Sequence, residues 1–418
     1  MSRKRVVVTG MGIVSCFGND VDVFYDSLLE GKSGITNIEN FQSEEFSTRF
    51  AGEIKNFDPY PYLDKKQARR VDPYIAYAMV SGKKALEDAK IDENIIKTLN
   101  KKKCGVLMGS GMGGMNTYAD GVETLIKKGY KKVSPFFVPY ILTNMAGALL
   151  AMEVGFMGAN YSISTACATA NHCIINAAKH IRNGEADLML CGGVEAPVIP
   201  IALSGFIACK ALSQRNEEPE KASRPWDMGR DGFVMAEGSA SLILESLDHA
   251  LERGAPILAE YLGGALSCDA HHITNPREDA AGIAMCIEDA LLDGKVEKED
   301  INYINAHATS TQAGDMVEMK AIQSIFPNIE NMKVNATKSM IGHSLGAAAG
   351  MEAIATVKAI QRDEIHPTIN LKNPESSLNM DIIPQKKQKL QITAGLSNSF
   401  GFGGHNASII LGPYRKSS

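Results

Sequence analysis

Short apolar runs, each closed by glycine or a polar turn, alternate along this chain with longer stretches whose apolar residues recur at helical spacing. Residues 6–8 and 104–108 read as buried strands, and 74–90 as an amphipathic helix between them. A further strand-helix-strand passage follows: alternation at 161–164, a helix over 168–182 carrying Ile174, Ile175, Ala178 and Ile181, and an apolar run at 187–191. Asn183-Gly184 stops that helix, because glycine tolerates the left-handed conformation of a C-cap. A strand over 233–245 and a short helix over 247–253 then run into Gly254.

The rest of the chain repeats this plan, with strands at 257–261, 301–306 and 333–336, helices at 281–292 and 345–360, and closing strands near 392–396 and 407–411. Such alternation predicts a layered α/β fold with mostly parallel sheets. Ala255-Pro256 is the best internal boundary, giving halves of residues 1–255 and 256–418. Three stretches break the rhythm. Residues 40–61 are expected to be a surface excursion, and 213–231 a long functional loop around Trp226, the only tryptophan. Residues 133–152 carry no charge, but Pro135, Pro139, Thr143 and Asn144 interrupt them, so a buried loop and helix at a subunit interface is expected rather than a membrane span.

At 418 residues the chain has material for two or three cores or one duplicated unit, and 44% apolar with 22% charged residues is ordinary for a globular protein. A net charge of -5 gives no reason to expect nucleic acid, and an acidic partner would need a local basic patch. Lys65, Lys66, Arg69 and Arg70 form one, although such a cluster is usually just a solvated face. The eight cysteines form no C-x-x-C pair and no metal spacing with the nine histidines, which predicts free thiols in a reducing compartment. The apolar run at 6–8 is too short for a signal-peptide core.

Cys167 falls between the strand at 161–164 and the helix after it, where unpaired N–H groups and the helix dipole favour a thiolate. A lone cysteine among alanines is more often a small buried hydrophobe. What strengthens the catalytic reading is a set of three loops at strand ends in the second half, 305–311 with His307, 335–343 with Lys338 and His343, and 398–405 with Phe400, Phe402 and His405. In open α/β sheets ligands bind beyond the strand C-termini, so these loops are expected to share one site. The glycine loop 109–114 satisfies G-x-G-x-x-G but lacks the acidic ribose ligand of a dinucleotide site. A competing motif, Gly342-His343-Ser344-Leu345-Gly346, fits the nucleophile elbow of a serine esterase.

The motifs VTGMG (8–12), GSGMGG (109–114), SPFFVP (134–139), STACAT (164–169), RPWDMGRDGFVMAEG (224–238), NAHATST (305–311), KSMIGH (338–343) and NSFGFGG (398–404) lie in the order and spacing of one family. The chain resembles the elongating β-ketoacyl-acyl-carrier-protein synthases, condensing enzymes of dissociated fatty-acid synthesis. The resemblance implies a thiolase-like duplicated fold, layered α-β-α-β-α with two mixed, mostly parallel sheets. It implies that Cys167 accepts the acyl chain as a thioester, that His307 and His343 assist malonyl decarboxylation, and that Lys338 and Glu352 support them. The N–H groups of Cys167 and Phe402 would form an oxyanion hole, with Phe402 as a gate. Met112 and Phe136 would line the acyl tunnel, the latter across a homodimer interface; Phe400, Thr309 and Thr311 would meet the substrate and its phosphopantetheine arm. Lys66, Arg69, Arg70 and Lys210 would dock the acidic acyl carrier protein. No metal or redox cofactor is implied, the pantetheine arm being supplied by the carrier.

A polyketide condensing subunit would keep every one of these residues and is the nearest alternative. Many bacterial members carry glycine in place of Ala308 and threonine in place of His405, whereas plastid enzymes resemble this chain at both positions. The expected compartment is therefore the bacterial cytoplasm, or the plastid stroma for a chain whose transit peptide has been removed.

Overall fold

The computed structural model describes residues 3–326, 332–378, 381–382 and 386–416. Ten strands carry the main sheet: β1 (Val6–Val14), β2 (Cys104–Gly109), β3 (Leu188–Glu195), β4 (Gly238–Ser246), β5 (Ala259–Cys268), β6 (Ile301–Asn305), β7 (Lys333–Asn335), β8 (Asp381–Ile382), β9 (Ala394–Gly401) and β10 (His405–Gly412). Their spatial order is β8-β7-β6-β9-β10-β5-β1-β4-β3-β2. β1 to β4 are buried along their whole length, the consequence of being covered on both faces, so that even Thr9, Glu195, Ser239, Ser241 and Glu245 within them are buried.

The duplication is visible in that order. The first half runs β1-β4-β3-β2 and the second β5-β10-β9-β6. Beyond β6 lies the parallel β7; beyond β2, in the matching place, Asn160 makes a parallel bridge to Val106. The halves join where Val6, Val7 and Val8 pair antiparallel with Tyr261, Glu260 and Ala259. The α/β class and the duplication are as expected, but the strands form one continuous sheet rather than two, and antiparallel pairings outnumber parallel ones five to four. An apolar run looks the same whichever way its neighbour points, so pairing direction was not readable from it.

Six helices complete five layers: α1 (Pro73–Asp88), α2 (Met145–Val154), α3 (Thr169–Arg182), α4 (Ala281–Gly294), α5 (Gln312–Ile325) and α6 (Ala348–Arg362). α1 and α2 share an apolar cluster with β2 and β3 on one outer face. α4 and α5 share another with β6 and β9 on the other. Between the two halves of the sheet lie α3 and α6, packed against strands of both. α6 is buried on nearly every side, as its alanine-rich sequence allows, with Lys358 and Arg362 kept at its outer end.

Three expectations change. Residues 40–61 are not only a surface excursion: Phe50 and Ala51 are buried, and Gly52 bridges to Ala236. Residues 161–164 form no strand, only the single bridge at Asn160. The uncharged segment 133–152 is only partly buried in the single chain, with Phe136, Val138, Leu142 and Met152 facing outward. Among the described residues no helix is long and apolar enough to cross a membrane.

Glycine marks the closest approach of α1 to the sheet. A Cβ on Gly12 would lie 2.0 Å from the Ser81 carbonyl oxygen, and one on Gly10 would lie 2.2 Å from that of Ala85. Gly12→Ala is therefore expected to push α1 off β1 and to cost about 1–3 kcal/mol, the range of overpacked cores, read as a fall in the urea midpoint. An unchanged midpoint would show that the helix sits less tightly on the strand.

Candidate active site

Cys167 lies in a single 3-10 turn, Ala166–Ala168, that leads into α3. Ala166 is held at φ 48°, a left-handed conformation that costs a non-glycine residue on the order of 1–2 kcal/mol and persists only under tight packing. The duplicated half has the same device: the turn Leu345–Ala347, with Leu345 also at φ 48°, leads into α6. The two turns touch each other in the middle of the molecule. His343 stands just before the second turn, its N–H donating to the Val234 carbonyl (2.7 Å) and its carbonyl accepting from Ala236 (3.0 Å). This places His343 Nε2 2.9 Å from Cys167 Sγ.

His307 follows β6, and its ring stands edge-on to that of His343, with centroids 5.4 Å apart. Behind it, the Lys338 ammonium is 3.3 Å from His307 Nδ1 and 2.5 Å from Glu352 Oε1. An ammonium can only donate, so Nδ1 of His307 is an acceptor and the ring proton sits on Nε2. Burial, then the charge of Lys338, hold both imidazoles well below their ordinary range, His307 being further lowered by His343. Both are neutral at pH 7 and can offer N–H to a developing oxyanion.

The sulfur behaves differently from the helix-tip expectation. Burial pushes the Cys167 thiol up to about 12, against the charge of Lys338 and the N–H of Phe402, which pull it down. The resting group is a thiol, with His343 Nε2 placed to take its proton. The N–H of Cys167 itself also points at the sulfur and pulls the thiol down.

Two buried carboxylates that the sequence reading missed build the loop of His307. Glu318 accepts from the N–H groups of His307 (2.9 Å) and Ala308 (2.8 Å), and Asp315 from those of Ser310 (3.0 Å) and Trp226 (3.0 Å). Both stand in the first half of α5, after the His307 loop, and two acids three residues apart on the buried face of that helix were a signal available in the sequence. Arg230 locks the same loop, donating to the carbonyls of Thr311 (2.9 Å) and Gln312 (2.6 Å). The long 213–231 loop thereby acquires a use.

A cavity of about 340 Å³ opens over these groups, lined by Cys167, His307, His343, Met112, Phe400 and Phe402. Thr309, Thr311 and the exposed Lys210 also border it. Lys338 and Glu352 stand behind the histidines, fully buried. Lys66, Arg69 and Arg70 are exposed on and just after the short helix Lys65–Ala68, away from the cavity. Phe136 does not line this cavity: it is 54% exposed and shares a separate one of about 400 Å³ with Arg70 and Tyr140. The tunnel role expected of it needs a second subunit.

The esterase reading fails on geometry. Ser344 Oγ is fully buried and donates to Met351 Sδ (3.1 Å), while His366 is engaged by Asn335 and Thr337. It is Cys167, not Ser344, that has a histidine partner. The ligand atoms of Cys167, His307 and His343 lie within 4.8 Å of one another, close enough for a soft divalent ion. The Lys338 ammonium against His307 opposes a second cation there.

Fold and site together describe a thiol acyltransferase with two neutral imidazole donors. The family description "Beta-ketoacyl synthase, N-terminal domain" matches residues 3–250, and "Beta-ketoacyl synthase, C-terminal domain" matches residues 258–372. The chain belongs to the β-ketoacyl synthase family and is an acyl-transferring condensing enzyme with the thiolase-like fold. It is 56% identical over 413 residues to 3-oxoacyl-[acyl-carrier-protein] synthase I, chloroplastic, of Arabidopsis thaliana, covering 99% of this chain and 87% of that one. To 3-oxoacyl-[acyl-carrier-protein] synthase 2 of Vibrio cholerae it is 48% identical over 414 residues, covering 98% and 99%. Among solved structures, the ishigamide ketosynthase/chain length factor superposes with a TM-score of 0.91 at 34% identity, over 99% of this chain and 100% of that one. The AntDE:AntF complex, a type II PKS acyl-carrier protein with its ketosynthase bound to the hexaketide, gives 0.89 at 32%, over 99% and 100%.

Lys338→Ala would leave Glu352 buried without its cation, at a cost of about 3–5 kcal/mol. Adding Glu352→Gln is expected to restore most of that loss in urea denaturation. Because the charge of Lys338 lowers the Cys167 thiol, the double variant should need a higher pH than the natural protein for alkylation by iodoacetamide. A profile shifted to lower pH would show that Lys338 does not act on the sulfur through its charge.

Proposed function

We propose that this protein elongates fatty acyl chains on acyl carrier protein, condensing an acyl-enzyme thioester with malonyl carrier protein. The observation that carries this is the contact of Cys167 Sγ with His343 Nε2 at 2.9 Å, in a cavity where His307 presents a second neutral imidazole. In the first step His343 takes the thiol proton as the sulfur attacks the acyl thioester, the carbon–sulfur bond to pantetheine breaks, and His343 returns that proton to the departing pantetheine thiolate. Malonyl carrier protein then loses carbon dioxide. The enolate oxygen is held by the N–H groups of His307 and His343, and its carbon attacks the acyl-cysteine carbonyl. The tetrahedral oxyanion is held by the N–H groups of Cys167 and Phe402 until it collapses, releasing β-ketoacyl carrier protein and expelling Cys167 as a thiolate, which takes up a proton from solvent to restore the resting thiol. Lys338 and Glu352 fix the His307 tautomer from behind, and Phe402, between Gly401 and Gly403, swings to admit the chain. This chemistry needs no metal or redox cofactor; the phosphopantetheine arm belongs to the carrier and passes Thr309, Thr311 and Phe400 on its way in.

The acidic carrier docks on Lys66, Arg69 and Arg70, with Lys210 at the cavity mouth. The working unit is a homodimer. Supporting it are the exposed apolar side chains of Tyr118, Ile126, Val138, Met152 and Met157, all within one stretch of chain, and a sheet edge at β2 met only by Asn160 among the described residues. Phe136 would then complete the partner's tunnel. The chloroplastic and bacterial relatives point to the plastid stroma or the bacterial cytoplasm as its compartment. A polyketide role would use the same residues; the higher identity to the fatty-acid enzymes favours the first reading.

Intact-mass spectrometry after incubation with an acyl-carrier-protein thioester should find one acyl adduct, absent in Cys167→Ala. Malonyl carrier protein should discharge that adduct as β-ketoacyl product. His307→Ala should keep the adduct but lose about 10²–10³-fold in its discharge, the usual loss for an oxyanion donor. An adduct on any other residue, or none, would refute the proposal.

A further inference from the structure

One buried ionisable group at the cavity has no part in the chemistry above. Glu195, the last residue of β3, is fully buried and lines the cavity of Cys167. Its Oε1 accepts from the Ser110 hydroxyl (2.7 Å) and the Met112 N–H (2.9 Å). Its Oε2 accepts from the N–H groups of Gly111 (2.8 Å) and Gly346 (3.0 Å). Three of the four partners are backbone N–H groups, which only donate and favour the carboxylate, while burial, the larger effect, raises this carboxyl above its ordinary range.

The carboxylate joins two segments that are far apart in sequence. One, Ser110 to Met112, carries a wall of the cavity; the other, Gly346, lies three residues after His343 in the turn that opens α6. There is no slack between them. A Cβ on Gly346 would lie 2.5 Å from Glu195 Oε2, and one on Gly111 2.9 Å. Gly111 also accepts from Ser164 Oγ (3.2 Å), in the segment leading to the cysteine turn. The 109–114 loop holds four glycines and would wander without such anchoring, and methionine is itself a flexible side chain. Selection by chain length turns on single methylenes, worth about 10–200-fold only where the wall cannot yield.

We propose that Glu195 is a positioning residue for substrate specificity: it clamps the Ser110–Met112 loop to Gly346, fixes Met112 in the cavity wall relative to Cys167, and thereby sets which acyl chain lengths are accepted. The inference rests on the acyl-transfer reading given above. A glutamine keeps the shape but turns an amide NH2 toward N–H donors, so one oxygen's pair of bonds is lost.

The test uses the full-length protein, Glu195→Gln and Ser110→Ala, with carrier-protein thioesters of graded chain length. Initial rates of Cys167 acylation are read by intact mass, and the pH profile of iodoacetamide alkylation is read beside them. In Glu195→Gln the preference between the best chain and its longer neighbours should fall by about fivefold or more, within the methylene range. The alkylation profile should also move to lower pH, because the carboxylate's charge disfavours the thiolate. Ser110→Ala, which removes one bond and no charge, should flatten the preference less and leave the profile in place. A merely structural glutamate would lower every chain length by one factor; that result, or an unchanged preference, overturns the inference. If Glu195→Gln does not fold, Ser110→Ala decides by the same criterion. Failure of the natural protein to acylate Cys167 at all would instead remove the proposed function, and this inference with it.

Discussion

The close packing of α3 against α6 between the two halves of the sheet is the constraint on which the rest depends. Small residues make it possible: a Cβ on Gly350 of α6 would lie 3.2 Å from that of Ala170 on α3, and one on Gly193 would lie 2.2 Å from the Gly346 carbonyl oxygen. With the two helices held at that separation, the turns at their N-termini meet, and their strained left-handed residues are carried by the surrounding packing. The cysteine arrives from one turn and the histidine from just before the other. Neither half could assemble the pair alone.

Burial, and after it one buried cation, set the protonation of the whole group. Lys338 is paired with Glu352, whose carboxyl burial pushes up to about 7 against that pairing. The ammonium fixes the tautomer of His307, lowers both imidazoles and draws the Cys167 thiol toward ionisation. Burial pulls the imidazoles the same way and the thiol the other way. The outcome is a protonated nucleophile beside neutral donors, suited to a reaction in which negative charge appears only in passing.

Backbone N–H groups near the site are gathered by carboxylates. Glu195, Glu318 and Asp315 each accept from two or more of them, and in doing so tie loops from different strands into one rigid rim. In a dry interior such bonds are strong and an unmade one is costly, so these acids specify loop positions more sharply than apolar packing would. The surface around Phe136 is the opposite case, apolar and uncovered in the single chain.

Much of this was legible in the sequence. Most strand and helix positions followed from apolar spacing, the duplication from the repeated plan, and the candidates Cys167, His307 and His343 from motifs that lie in the order of one family. These are local properties: periodicity, turn residues and short motifs are written along the chain. Pairing direction, the joining of the halves through β1 and β5, and the reduction of the expected strand at 161–164 to a single bridge at Asn160 were decided by tertiary contacts, because an apolar run carries no sign of its neighbour's direction. The state of the sulfur was decided there too. A helix tip argues for a thiolate, and only the depth of burial, which no local pattern records, reverses the balance.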